Sequence, residues 1–283
     1  MPVDKNSLGY SGRVIGSTKV AGLCQFATQA QAGAGFRNDR AIAASEISKA
    51  VGDQKRLFDP MNLQPISAKV GGGAATGTAG DENVLQMGAA SYEYHILGTQ
   101  TILAPKMGVG GVDMNLDQTA DDGIEYVPGA NNLAGKYAFT VGTDSEFEAR
   151  LSFSIADVSG SDDCLFGFRK VQAYQAAVDD YTDMAAFNVI AGAINIETIL
   201  NNAATDTTDT TDTVADGVTV ELKVRVSKTG AVKFFIDGAA PTVTTAFTFD
   251  SGDVVIPFFF FLNDTDVAGA VIFQELEVGR VLK

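Results

Sequence analysis

The sequence predicts a mainly β protein, an antiparallel β-sandwich of the jelly-roll type with a glycine-rich extended N-terminal region. Short runs with a two-residue hydrophobic period fill the second half of the chain, and clusters of Gly, Asp and Thr separate them. Helical periods are few. The glycines are unevenly placed, because 20 of the 30 lie in residues 1–135. The two halves of the chain are therefore organised differently.

Composition divides the chain into three parts. Residues 1–60 form an arm that holds eight basic and five acidic residues, a net charge of +3, which leaves −18 on the rest. Such an arm could dock on an acidic surface or stay solvated without a partner. Residues 61–135 form a glycine-rich, extended or β region. Residues 136–283 form the sandwich domain.

Two local features are expected in the first half. Asn38 and Asp39 could cap a short helix that runs to about Phe58. Residues 92–103 and 123–127 are typical of short strands. These strands belong either to the sandwich or to an extension that pairs with a neighbouring subunit.

The clearest element is a hairpin in residues 216–238. From Val218 to Val226, valine and leucine alternate with polar side chains, which predicts a strand with one buried face. Residues 227–230 then supply a polar turn whose glycine can take a positive φ. A second β-rich run ends at Asp237 and Gly238, so the segment is an antiparallel hairpin.

Other strands are predicted by the same reasoning. Residues 146–155 alternate almost without fault, with Phe147, Leu151 and Phe153 on the face expected to be buried. Further strands are expected at 164–170, 185–190, 193–200, 254–262 and 271–278.

The run at 254–262, VVIPFFFFL, departs from alternation. A sandwich strand buries one face against the opposite sheet, so if Phe258 and Phe260 point inward, Phe259 and Phe261 point outward. Exposed phenylalanines in a β-prone run would promote aggregation. We therefore expect the N-terminal half of the chain or another subunit to cover Phe259 and Phe261.

Charge and composition exclude several classes of protein. A net charge of −15 disfavours nucleic-acid binding by the folded body. The longest strongly apolar run is too short to span a membrane, and the polar N-terminus does not resemble a secretion signal. Cys24 and Cys164 are far apart and are expected to be small buried side chains of a protein made in a reducing compartment.

Several segments carry a family resemblance. They are the alternating strand at 147–155, Leu165-Phe166-Gly167-Phe168, the hairpin VTVELKVRV…GAVKFFIDG, and the closing QELEVG at 274–279. Together they resemble the concanavalin A-like lectin/glucanase fold in its laminin-G-like form. The whole chain, with its glycine-rich first half and strong acidity, also resembles virion proteins of tailed bacteriophages, particularly capsid decoration or cement proteins.

No catalytic constellation stands out. The Glu-x-Asp-x-x-Glu string that the glucanase resemblance would imply is missing. The pairs Glu146/Glu148 and Glu275/Glu277 have a spacing that a retaining glycosidase could use, but solvated acids on an outer face explain them better. His95 is the only histidine, so a catalytic relay or a histidine-rich zinc site is not expected. We predict that the protein is not an enzyme.

The lectin resemblance implies aromatic sugar platforms and, in many members, calcium. Tryptophan is absent, and phenylalanine supplies 18 of the 25 aromatic residues. No cofactor is expected, although acidic loops could hold calcium, with a solvated loop as the simpler interpretation. The acids concerned are Asp206, Asp209, Asp212, Asp216, Asp264 and Asp266.

The sequence therefore predicts a non-enzymatic virion structural protein, a cement protein on the surface of a phage head that is made in the host cytoplasm. Its expected partners are the major capsid protein or other virion subunits, and the chain itself is expected to form a homo-oligomer. Neither nucleic acid nor a membrane is expected as a partner. The alternative is a lectin-like carbohydrate-binding module on a phage tail or in cell-surface adhesion. The expected partner contacts are Arg13, Lys19, Arg37, Arg40, Phe259 and Phe261.

Overall fold

The computed structural model describes residues 57–59, 82–87, 90–99, 106–108, 110–114, 119–128, 137–263 and 270–281. Within these ranges the chain forms sixteen β-strands and two 3-10 helices, all part of one compact unit, Arg56–Lys283. The helix predicted to end near Phe58 lies outside the described residues except for its last two positions. Those two positions belong to a strand, Leu57–Asp59.

The strands form two antiparallel sheets. The seven-stranded sheet has, in spatial order, β14 (Val232–Ile236), β13 (Val220–Val226), β8 (Phe147–Ile155), β16 (Val271–Arg280), β5 (Gly111–Asp113) and β4 (Lys106–Gly108), and β1 (Leu57–Asp59) also pairs with β16. The nine-stranded sheet has β12 (Asp206–Thr213), β11 (Ala193–Ile199), β10 (Met184–Ile190), β9 (Ser161–Lys170), β15 (Val254–Asn263), β6 (Gly123–Pro128), β3 (Ala90–Leu97) and β2 (Glu82–Met87), and β7 (Phe139–Thr140) also pairs with β15.

The predicted antiparallel β-sandwich is confirmed. A large hydrophobic core contains the inward residues of both sheets, including Phe147, Leu151 and Phe153 of β8. Strands from residues 57–128 hydrogen-bond in the same two sheets as the strands of the C-terminal half. The sequence placed the sandwich domain at residues 136–283 and left open whether the strands at 92–103 and 123–127 belong to it. The described sheets include six strands that precede residue 136.

The predicted hairpin is confirmed, with a small difference at its start. Burial alternates along β13, and Arg225 pairs with Lys233 of β14 as the hairpin closes. Gly230 has a φ of 90°, the left-handed conformation expected of the turn glycine. The strand begins at Val220, since Val218 is 52% exposed and follows the turn at Asp216 and Gly217.

The predicted orientation of the phenylalanine-rich strand is wrong. Phe259 and Phe261 are 4% and 2% exposed and belong to the core between the sheets. Phe258 and Phe260 point the other way, into a second hydrophobic cluster on the outer face of the nine-stranded sheet. An unbroken apolar run fits either orientation, and here both faces of the strand are buried.

The second cluster has its own cover, which we name the strap: residues 171–183, the connection between β9 and β10. Its 3-10 helix, Val178–Asp180, and the rings of Tyr174 and Tyr181 pack over the outer face of the sheet. Among the described residues, the strap covers Phe258 and Phe260, whereas the sequence predicted that the N-terminal half or another subunit would cover Phe259 and Phe261.

Pro257 is tolerated within β15 because of where the neighbouring strands end. On one side, β7 pairs with Val254 and Val255, and β6 pairs with residues 259–262. Pro257 falls between these two stretches. A proline has no N–H to donate to a ladder, so the position costs little hydrogen bonding.

Candidate functional site

A buried ion pair fastens the strap to the sheet. Arg169 of β9 donates from Nε to Oε1 of Glu125 at 2.7 Å, and both side chains are fully buried. The hydroxyl of Tyr181, on the strap, donates to the other carboxylate oxygen of Glu125. Burial raises the pKa of Glu125, while the guanidinium and the Tyr181 hydroxyl oppose that rise. The carboxylate therefore joins the sheet to the strap.

Arg169 also organises the backbone and the rings around it. Its Nη1 donates to the carbonyls of Lys170 and Gln172, at 3.2 and 3.3 Å. Its guanidinium carbon lies 4.5 Å from the ring centroid of Tyr181 and 5.5 Å from that of Tyr174. Such cation–π contacts are stronger in a dry environment than in water. One arginine thus sets the path of the strap.

His95 of β3 forms the next layer of this cluster. Its ring stacks on the ring of Tyr174, with centroids 4.7 Å apart and planes 12° apart. The ring is 8% exposed, and its Nδ1 has no hydrogen-bond partner. Burial, and then the charge of Arg169, lower the pKa of His95, so the imidazole is neutral at pH 7.

A cavity of about 530 Å³ opens beside the stacked pair. Its walls combine imidazole, phenol, carboxylate and aliphatic groups from β3, the strap, β15 and the turn before β6. The lining residues are His95, Ile96, Leu97, Gly98, Asp121, Tyr174, Ala176 and Leu262. Ligand sites in proteins usually have volumes of roughly 300–1,000 Å³ and a few polar groups among apolar ones.

The rim of the cavity is held in a defined shape. Gly98 has a φ of +65°, and a Cβ there would clash with Asp121 O and Asp122 Oδ1. The Asp122 carboxylate accepts from the Thr99 amide at 2.6 Å, and the Asp121 amide donates to the Asn263 carbonyl at 2.9 Å. The ends of β3, β15 and the Asp121 turn are therefore tied together.

Asp121 is the exposed acid of this rim. Its φ is 63°, a conformation that Asp and Asn tolerate better than other side chains. The residue is exposed while its neighbour Asp122 is buried. A carboxylate thus stands at the mouth of the cavity on a turn whose backbone is fixed.

A second polar group of residues lies on the same outer face. The Asn188 side-chain amide donates to Asp163 at 2.6 Å and to Glu197 at 3.0 Å. Burial raises the pKa of Glu197 to about 7, and the charges of Asp163 and Asp179 add to this, while the hydrogen bond from Asn188 opposes it. Asp179 belongs to the strap, so this group meets the strap at its 3-10 helix.

Three of the four glutamates considered as two possible catalytic pairs form ion pairs on the outer face of the seven-stranded sheet. Glu148 binds Arg225 at 2.7 Å. Glu275 and Glu277 both contact Arg150, at 2.9 and 3.2 Å. These acids are occupied by arginines on neighbouring strands. Their expected position on an outer face is confirmed for these three, but they are paired with arginines and Glu148 is buried, so they are not the solvated acids that the sequence predicted.

The acids considered as calcium ligands do not converge. Asp206, Asp209 and Asp212 lie on β12, an edge strand, where the sequence placed a loop. The Asp212 carboxylate accepts from Thr242, and the Asp216 carboxylate accepts from the Val158 amide. Asp264 and Asp266 lie outside the described residues. Within the described part of the chain, no group of three or more His, Cys, Asp or Glu side chains could hold a metal ion.

The remaining residues named from the sequence are the basic residues of the arm and the two cysteines. Arg13, Lys19, Arg37, Arg40 and Cys24 lie outside the described residues. Cys164 is a free, buried thiol, as predicted, and burial raises its pKa. Among the helices that the structure describes, none has the length and apolarity needed to cross a membrane.

Sequence reasoning missed the cavity because its walls come from four separate segments. One signal was available, since Glu125 and Arg169 interrupt runs that are otherwise apolar, GIEYVP and LFGFRK. A charged residue at a strand position that faces an apolar cluster needs a partner. That rule could have paired these two residues but not located the cavity.

Comparison with known proteins gives similarity of fold without close relatives. No family model matches the chain, and no curated protein sequence matches it. Solved structures with similar folds include the Emp47p carbohydrate recognition domain, at 12% identity and a TM-score of 0.47, covering 80% of this chain and 95% of that one. Lectin UEA-II complexed with galactose matches at 10% identity and a TM-score of 0.46, covering 80% and 98%. Carbohydrate-binding module CBM66 from Bacillus subtilis matches at 12% identity and a TM-score of 0.39, covering 65% and 94%. At these identities no ligand-binding residue is transferred from those proteins to this chain.

Proposed function

We propose that this chain is a non-catalytic carbohydrate-binding module whose ligand occupies the cavity beside the His95–Tyr174 stack. The observation that carries the proposal is the cavity itself, about 530 Å³ with aromatic, carboxylate and aliphatic walls. This is the volume and mixture of groups that a small polar ligand needs. The proposal takes up the lectin-like alternative that the sequence left open.

The charges favour a neutral ligand. Asp121 presents an exposed carboxylate at the rim, and the chain as a whole carries −15, so an anionic ligand would be repelled. Hydroxyl groups of a sugar can donate to a carboxylate, and the C–H faces of the ring can pack on Ala176 and Leu262. A neutral hexose at the end of a glycan meets both requirements.

The proposal excludes turnover by the acids of the other sheet. Glu148, Glu275 and Glu277 bind arginines on the outer face of the seven-stranded sheet. The cavity lies on the nine-stranded sheet, and among the described residues of its lining Asp121 is the one acid. Canonical glycoside hydrolysis uses two carboxyl groups that flank the scissile bond.

The test is a glycan array with the purified chain and two matched variants. Asp121→Asn removes the rim charge, and asparagine also tolerates the positive φ. Asp206→Asn removes one exposed charge from β12, at the opposite edge of the same sheet. We expect the wild-type chain and the Asp206 variant to bind the same neutral glycans and the Asp121 variant to lose at least tenfold in affinity. Equal binding by all three chains, or no binding by any, would overturn the proposal.

The assembly role predicted from the sequence stays a prediction. It depends on Arg13, Lys19, Arg37 and Arg40, which the structure does not describe. A deletion that tests it should end at Lys55, because Leu57–Asp59 pairs with β16 in the sandwich. Loss of co-sedimentation with the virion, with unchanged melting of the shortened chain, would support a role of the arm in assembly.

A further inference from the structure

The strap forms one wall of the cavity. The strap is a 13-residue connection, 171–183, that contributes Tyr174 and Ala176 to the cavity. Its backbone is held to the sheet near its start, where the Val171 amide donates to the Val254 carbonyl at 2.8 Å. It is held again at its end, where the Lys170 amide donates to the Asp183 carbonyl at 2.9 Å and the Asn202 amide donates to the Thr182 carbonyl at 2.7 Å. Between these two ends, side chains hold the strap to the sheet, chiefly through the Tyr174–His95 stack and the Tyr181–Glu125 hydrogen bond.

Protonation of His95 places a second cation beside the Tyr174 ring. Arg169 already lies 5.5 Å from the Tyr174 ring centroid, and His95 stacks on that ring at 4.7 Å. Glu125, the Cα partner of His95 on β6, is already bound to Arg169 and Tyr181. An imidazolium at His95 would therefore be a buried charge beside a carboxylate, that of Glu125, whose oxygens already accept hydrogen bonds from Arg169 and Tyr181.

Two other acidic residues are neighbours of His95 in the sheet. Glu93 lies two residues away on the same strand, half-buried and close enough to act on Tyr174. Glu82 of β2 is the Cα partner of His95 on its other side. Glu93 would favour the imidazolium, whereas burial and Arg169 oppose it and prevail in the closed arrangement.

We propose that the strap is a proton-gated lid on the cavity: protonation of His95 breaks its stack with Tyr174 and releases the strap from β3. The identity of the ligand rests on the proposed function, whereas the opening of the strap requires no ligand. The gate would thus regulate the same site, because acid would move the strap, and with it Tyr174 and Ala176, away from the cavity.

The sign follows from linkage between protonation and opening. The pKa of His95 is lowered in the closed state and returns toward its usual value of about 6.5 when the strap opens. The open state therefore binds the proton more readily, so acid favours opening. Between the two pKa values, the ratio of open to closed strap rises roughly tenfold for each unit that the pH falls.

One group acts on the strap in the opposite direction. Glu197 has a pKa of about 7 and faces Asp179 of the strap. Its ionisation at higher pH places two like charges together and weakens the far end of the strap. The effect of His95 has to be separated from this one by variants.

Hydrogen exchange on the full chain tests the gate without any ligand. The amides to follow are Val171, Tyr181 and Thr182, which donate to Val254 O, Val178 O and Gln172 Oε1. After correction for intrinsic exchange rates, we expect their protection to be lower at pH 5 than at pH 7, because the open strap binds the proton more readily. Protection in β13 should stay constant over the same range. The single histidine gives one imidazole NMR signal, whose midpoint should lie below 6.5.

His95→Phe keeps an aromatic ring in the stack and cannot be protonated. This variant should hold the strap closed at pH 5, and Glu197→Gln should leave the acid opening unchanged. If the phenylalanine variant does not fold, His95→Gln replaces it, with an open strap at both pH values expected. Equal protection at pH 5 and 7 in the wild type, or the same acid opening in His95→Phe, would overturn the gate. A failed glycan array would overturn only the proposed function, because no ligand takes part in this measurement.

Discussion

Phe259 and Phe273 meet edge to face between the two sheets, with ring centroids 4.7 Å apart and planes at 85°. Phe259 also meets Phe153 of β8 edge to face at 6.0 Å. Aromatic pairs with this geometry contribute beyond the area that they bury. The strand that the sequence oriented toward a partner thus helps to join the two sheets of its own sandwich.

The first prediction follows from this contact. Phe259→Ala should lower the free energy of unfolding by roughly 3–5 kcal/mol, because it removes a fully buried ring and leaves a cavity. The midpoint of urea denaturation measures the change. Phe235→Ala is the control, since Phe235 is half-buried on the outer face of the other sheet, beneath Lys223 and Arg225. If both variants unfolded at the wild-type urea concentration, the packing described for Phe259 would be wrong.

The difference between β13 and β15 explains why the sequence predicted the buried face of one strand and not of the other. In β13 each valine or leucine is followed by a polar residue, so both the strand and its inner face could be predicted. In β15 apolar residues are continuous, and the strap buries the face that would otherwise meet water. The sequence therefore predicted the strand but could not determine which phenylalanines face the core. The edge strand β12 was missed because its Asp and Thr residues have no apolar period.

The second prediction concerns the buried ion pair. Glu125→Gln leaves the Arg169 guanidinium without a counter-charge in a fully buried position, and roughly 3–5 kcal/mol of stability should be lost. The double change Glu125→Leu with Arg169→Met removes both charges and should lose much less. Denaturant unfolding of the single and double variants, compared with wild type, measures the difference. A double variant less stable than Glu125→Gln would show that Arg169 stabilises the strap mainly through its rings and carbonyls.

The cavity could not be predicted from the sequence for a topological reason. Leu97, Asp121, Tyr174 and Leu262 are far apart in the chain and meet only because β3, β6 and β15 are neighbours beneath the strap. Pairing between strands so distant in sequence leaves no local pattern to interpret. The rim turn was also hidden, because a positive φ at Asp121 depends on its hydrogen bond to the Asn263 carbonyl.

The third prediction concerns Gly167 of β9. A Cβ at this position would lie 2.5 Å from Ala186 Cα and 2.8 Å from Ala186 Cβ, on the neighbouring strand. Gly167→Ala therefore forces β9 and β10 apart beneath the strap, and we expect a loss of roughly 1–3 kcal/mol from overpacking. Thermal unfolding of this variant gives the result. In Gly217→Ala nothing lies within 4 Å of the new methyl group, so only backbone strain is introduced, and a larger loss there would contradict the role given to Gly167.

The fourth prediction is a dependence of stability on pH that Glu197 controls. Its pKa is about 7 in the folded chain, against an ordinary value of 4.5. A raised pKa means that the folded state holds the proton more tightly, so its contribution is fully present below pH 4.5 and is lost as the pH rises toward 7. The loss above pH 7 amounts at most to something on the order of 3 kcal/mol.

Glu197→Gln should remove this dependence while keeping an oxygen that accepts from Asn188. The variant should therefore be more stable than wild type at pH 8 and close to it at pH 4.5, as measured by urea unfolding at both values. Glu221→Gln, on the outer face of the other sheet, should show no such gain at pH 8, because Glu221 is partly exposed and its carboxylate binds Arg150. The cause lies in the surroundings of Glu197: Asp163 and Asp179 add negative charge, and Asn188 supplies only a neutral donor. A glutamate buried without a cation keeps its proton to higher pH, so equal stability of Glu197→Gln and wild type at pH 8 would contradict this account.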